Sequence, residues 1–166
     1  ILRKMENHVI LCGYGRVGQE ISNQIKAQNI PIIVVESDED RKKIAEKNGL
    51  EVLCADATLD ETLKLAGLEK CKSLVVTLPN DAANLYVVLS AKGIRSSIRV
   101  IARAGTEEAA SKLRLAGASI VVSPYIAAGR AMASMALRPI AIDFLDLLAG
   151  SECEIEEFEL SNDISL

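Results

Sequence analysis

The chain has 166 residues, 49% apolar and 25% charged, which suits one domain with a short appendage and a core that needs neither disulfide nor metal. Its net charge of −4, with Lys and Arg scattered along the chain, argues against a nucleic-acid binder, whose phosphate contacts require a dense basic surface. No signal-peptide pattern is read in these residues, and they hold no apolar run of the roughly 18 residues needed to span a bilayer.

Short apolar runs alternate with amphipathic segments. His8–Cys12 reads as a strand, followed by a helix from Arg16 to Gln28. Pro31–Glu36 is the next strand, and Asp38 is placed to cap a helix running to Lys47. Glu51–Cys54 is a short third strand; Asp60 opens a helix that Gly67 ends. Ser73–Leu78 is the fourth strand, with a helix over Asp81–Lys92 closing at Gly93. Arg99–Arg103 is the fifth strand, Thr106 and Glu108 begin a helix ending near Gly117, and Ser119–Val122 is the sixth strand.

These strands are β-branched and continuously apolar, the mark of strands covered on both faces in a parallel sheet. Six strand–helix units in series predict an α/β fold, a Rossmann-like doubly wound six-stranded parallel sheet. The pattern changes after Ser123. Tyr125–Leu137 is small and apolar on nearly every face, so it should be buried on more than one side, against another subunit or domain. Arg138–Pro139 breaks it, Ile142–Leu148 makes a short amphipathic helix ending at Gly150, and Cys153–Leu160 alternates apolar with acidic residues as a half-exposed strand of a further lobe. A chain opening at Ile1 and stopping soon after such a strand is expected to be part of something longer.

The strongest motif is Gly13-Tyr14-Gly15-Arg16-Val17-Gly18, a GxGxxG lying directly between the first strand and first helix. Gly13 permits the tight turn, Gly15 lets a pyrophosphate approach the backbone, and Gly18 lets helix and strand pack closely. The helix start then presents free N–H groups and partial positive charge to phosphates. Glu36, at the end of the second strand, sits about 20 residues beyond the glycines, where a carboxylate bonds ribose hydroxyls. That acid favours NAD or an adenosine nucleotide over a 2′-phosphorylated one, unless Arg41 reaches the same pocket. Because open α/β sheets bind ligands at strand carboxyl ends, Asp56-Ala57-Thr58, Thr77-Leu78-Pro79 and Arg103 are further candidates. Local turn chemistry competes for Asp56 and Thr58, and an ion pair for Arg103.

No catalytic residue is expected. His8 stands at the opposite end of the sheet, no tyrosine has a lysine four residues on, and the serines lack a histidine partner. The cysteines, Cys12, Cys54, Cys71 and Cys153, show no CxxC spacing and read as the buried, reduced thiols of a cytosolic protein; with one histidine, no zinc site is expected.

Taken in series, HVILCGYGRVG, VVES (Val34–Ser37), CADAT, TLPND with Asn84, IARA, LRLAGA and VVSPYIAAGR resemble the RCK domain, also called the Trk/Ktr amino-terminal domain, over about residues 7–137. These domains regulate potassium channels and transporters. RPIAIDFLD, with Arg3 and Lys4, is similar to the form attached to a channel pore helix. The resemblance implies phosphates on Gly13–Gly18, ribose on Glu36 with Ser37 beside it, adenine near Asp56-Ala57-Thr58, and Thr77, Leu78, Pro79, Asn84 and Arg103 lining the rest of the cleft. The implied ligand is NAD or NADH, or another adenine nucleotide (ATP, ADP or AMP).

It also implies homodimers through the Tyr125–Leu137 helix, assembling into a ring beneath a potassium channel pore or transporter membrane domain at the inner face of the cell membrane. The implied organisation is a linker over 1–6, a Rossmann core over 7–123, crossover and interface helices over 124–150, and the start of a C-terminal lobe over 151–166. Two departures stand out: Ala55 replaces the usual glycine, and Arg103 and Gly105 stand where calcium-gated members carry acids, so no metal site is expected there. A potassium/proton antiporter's regulatory domain and the cofactor domain of a truncated NAD-dependent oxidoreductase are the alternatives.

Overall fold

The computed structural model describes residues 5–138; the expected Ile142–Leu148 helix and Cys153–Leu160 strand lie outside the described residues. Strands β1 (Val9–Cys12), β2 (Ile32–Val35), β3 (Glu51–Leu53), β4 (Ser73–Val76), β5 (Val100–Arg103) and β6 (Ile120–Val122) alternate with helices α1 (Arg16–Ala27), α2 (Glu39–Lys47), α3 (Asp60–Leu65), α4 (Asp81–Ile94) and α5 (Glu107–Leu115). The strands form a single parallel sheet in the order β3-β2-β1-β4-β5-β6. This is the doubly wound Rossmann arrangement. The winding reverses between β1 and β4, the point at which folds of this kind bind ligands beyond the strand ends.

The continuously apolar strands divide their side chains between two cores. Ile10 and Cys12 of β1 join Leu74 and Val76 of β4 with Leu63, Val87, Val88 and Leu113 from α3, α4 and α5. On the other face, Val9, Leu11, Val34 and Val75 pack with Tyr14 and Ala45, and Ile21 and Ile25 of α1 close over them. Coverage of both faces holds for β1, β2 and most of β4 but fails at β5 and β6. There Val100 and Ala102 are buried against α4 and α5, while Ile120 and Val122 are exposed. The reason is topological: α1 and α2 cover the β1–β2 half of their face and stop there.

Capping follows the sequence closely. Asp38 accepts the Arg41 amide, Asn80 that of Ala83 and Thr106 that of Ala109, each the N-cap of its helix. One boundary differs: α4 runs through Gly93 to Ile94. Ile94 packs on the core, and the helix stops at Arg95, whose guanidinium donates to the carbonyls of Leu68 at 3.0 Å and Cys71 at 2.9 Å. Tethering of the next side chain therefore sets this end, not the glycine.

The contacts divide the chain into a unit through Pro124 and a second unit from Tyr125. Helix α6 (Pro124–Leu137) forms as expected, but none of its residues is buried within the chain, and Tyr125, Met132 and Leu137 are strongly exposed. No helix among the described residues is long and apolar enough to cross a membrane.

Candidate nucleotide-binding site

The glycine loop links the end of β1 to α1, and each glycine meets a different constraint. Gly13 has φ +99°, and a Cβ there would sit 2.8 Å from the Thr77 carbonyl oxygen, so both backbone shape and space exclude a side chain. A Cβ on Gly18 would run into the Gly13 carbonyl, because the first turn of α1 lies directly on the loop. Gly15 is the N-cap of α1, makes no side-chain cap, and has nothing within 4 Å of where a Cβ would stand. The start of a twelve-residue helix, with its unbonded first-turn amides, thus faces open space. Arg16 is exposed beside it and Val17 half-buried.

Glu36 is buried, and its carboxylate is held from both sides. Oε1 accepts the Tyr14 amide at 2.9 Å and Oε2 accepts the Asp38 amide at 3.1 Å. Each oxygen keeps further acceptor capacity for a ribose hydroxyl. Arg41 Nη1 lies 4.0 Å from Oε1, so this guanidinium does reach the acid, while remaining half exposed. Ser37 is exposed, and its carbonyl lies 3.9 Å from the Cys54 thiol.

Four expected ligand contacts turn inwards. Tyr14 is fully buried, its hydroxyl accepting from Asn48 Nδ2 at 2.9 Å. Ala57 belongs to the core beneath the loop after β3. Asn84 is fully buried and bonded to backbone on every side: Oδ1 accepts the Leu78 amide at 2.9 Å, while Nδ2 donates to the carbonyls of Leu78 at 2.9 Å and Arg103 at 3.1 Å. An amide buried beside the exposed ends of β4 and β5 serves to tie them together. Thr77 is similar: its hydroxyl donates to Cys12 O at 3.0 Å and stands behind the Gly13 turn. Leu78 is half-buried on the core and Pro79 exposed.

Asp56 is exposed and makes a local turn, Oδ1 accepting from Thr58 N at 2.9 Å and Thr58 Oγ1 at 2.7 Å. The hydroxyl bond first and the amide bond second hold its carboxyl below the ordinary value. Arg103 lines an apolar hollow of about 380 Å³ with Val17, Ile21, Thr77, Ile101 and Val122. Sequence reasoning missed the Asn48–Tyr14 bond and the Asp81 carboxylate, which accepts the Gly105 amide at 2.8 Å; pairs 34 and 24 residues apart leave no local signal. His8 is fully buried with Nε2 bonded to Ala66 O at 2.7 Å. Among the described residues no cluster of metal-ligating side chains occurs.

Residues 9–124 match the TrkA-N domain family. The chain belongs to that family. The glycine loop, the acid after β2 and the strand order are those of a Rossmann fold, and the solved relatives share it. The TrkA-N domain of the inner membrane protein YbaL from Escherichia coli aligns with a TM-score of 0.76 at 31% identity, covering 80% of this chain and 98% of that one. The GsuK channel bound to NAD aligns with a TM-score of 0.74 at 26% identity, covering 85% of this chain and 25% of that one. Potassium channel protein 1 of Methanocaldococcus jannaschii is 37% identical over 157 residues, covering 93% of this chain and 47% of that protein. The chain spans about half the length of the curated potassium channel relatives it matches.

Proposed function

We propose that this TrkA-N domain binds an adenine nucleotide, with NAD the first candidate, and regulates a potassium channel or transporter without catalysing a reaction. The observation that carries the reading is the open, uncapped start of α1 at Gly15 beside a buried acid already held in place. Phosphates would take the first-turn amides, and the ribose would take Glu36. Support comes from kinship with a potassium channel protein and with a channel solved bound to NAD. In this reading the domain works at the inner face of the membrane, in homodimers joined through α6 that can assemble into a ring. Core residues 7–123 carry the ligand, and 124–150 relay its effect.

Regulation follows from population shift. A nucleotide that prefers one arrangement of paired domains by about 1–3 kcal/mol changes the equilibrium roughly 5- to 150-fold. A thermal-shift panel of NAD, NADH, ATP, ADP and AMP tests the binding step, since a ligand at 100 times its Kd adds about 2.7 kcal/mol of stability. Gly15→Asp places a carboxylate where the phosphates would lie, in space the fold leaves empty. Its melting temperature should stay near that of the wild type while the nucleotide-induced shift vanishes. A full shift in that variant would sink the site assignment.

A further inference from the structure

The ribose end of the site carries an acid of the kind that selects NAD and, next to it, a cation of the kind that accepts a 2′-phosphate. Arg41 lies in the first turn of α2, with its amide fixed on Asp38 Oδ1 at 2.9 Å, so its backbone is set by the cap. Its Nη1 stands 4.0 Å from Glu36 Oε1, and its side chain is 47% exposed against 6% for Glu36. The guanidinium therefore lies between the buried acid and solvent. Lys42 does not compete for that place, because Glu46 at 3.4 Å and Glu39 at 3.9 Å engage it.

We propose that Arg41 makes the ribose pocket tolerant of a 2′-phosphate, so that NADP binds alongside NAD and Arg41 sets the preference between them. The inference rests on the loop's being a dinucleotide site. A lone buried carboxylate would repel a phosphate dianion. Here the carboxylate is bonded by the Tyr14 and Asp38 amides and faces a guanidinium, so its charge is partly balanced before any ligand arrives. The contact is long for an ion pair, so the guanidinium can turn from the acid towards a phosphate without breaking a close hydrogen bond. Its planar fork of five donors fits two phosphate oxygens at once.

Calorimetric titration of the 166-residue chain with NAD and with NADP, for wild type, Arg41→Gln and Arg41→Lys, tests this. Wild type should bind the two within about tenfold of each other, and Arg41→Gln should weaken NADP about tenfold or more while moving NAD less than about threefold. Arg41→Lys, which keeps the charge without the fork, should fall between. Equal effects of Arg41→Gln on both nucleotides overturn the proposal, as does wild type that binds NAD and refuses NADP. Failure of wild type to bind either one overturns the dinucleotide reading itself, so the two failures are distinguishable. An unchanged melting temperature for Arg41→Gln, expected of a half-exposed side chain, shows that the fold is intact.

Discussion

Tyr14 and Glu36 show how one contact can serve both the core and the candidate site. The tyrosine ring fills the core on the α1 side while its amide, 22 residues away in sequence, holds the acid that would meet the ribose. Similar division of labour separates the cysteines. Burial, with Cys71 nearby as the smaller cause, pushes the Cys12 thiol up to about 12. Because the folded value is raised, this burial contributes stability that is fully present below 9.0 and is lost as pH climbs towards about 12. Cys54, against the expectation of a buried thiol, is exposed at the end of β3, and partial desolvation and then the Glu39 carboxylate at 3.5 Å raise it as well. Iodoacetamide should therefore label Cys54 in the folded protein and Cys12 only after unfolding, with no rise in Cys12 labelling between about pH 7 and 9. Peptide mass mapping reads this directly, and rapid native labelling of Cys12 would contradict its place in the core.

At the scale of elements, the sequence makes legible what lies close together in the chain. Asp38 and Thr106 announce their helices because a cap acts three residues on. The GxGxxG loop is legible because its three glycines stand at fixed spacing within one short strand-to-helix link. Asn84 is different, for its partners lie at the ends of β4 and β5, the farther one 19 residues away, and nothing local marks it as a clamp instead of a ligand contact. The end of α4 lies past Gly93 for the same reason, since Arg95 is tethered to carbonyls 24 and 27 residues back. Asn84→Ala would leave the Leu78 amide and two carbonyls without their bonds, and a loss of about 2–4 kcal/mol in urea unfolding is expected. A loss under about 1 kcal/mol would mean that water replaces the clamp.

For the whole molecule, the sheet's β5–β6 half and α6 both present apolar groups to solvent. The exposed apolar groups of α6 call for cover, which the proposed pairing through that helix would supply. Met132→Asp combined with Met135→Asp should turn a sedimenting dimer into a monomer while leaving the melting of the β-sheet unit in place; a wild-type monomer at all concentrations would remove α6 as the interface. The seam between β1 and β4 carries a different consequence. Thr77 stitches it from one side, Glu36 secures the loop from β2, and Asn84 fastens the β4 and β5 ends. If a nucleotide binds at this seam as proposed, a loop fixed by these bonds would need little further ordering of chain, and the entropy lost on association would fall mainly on the ligand.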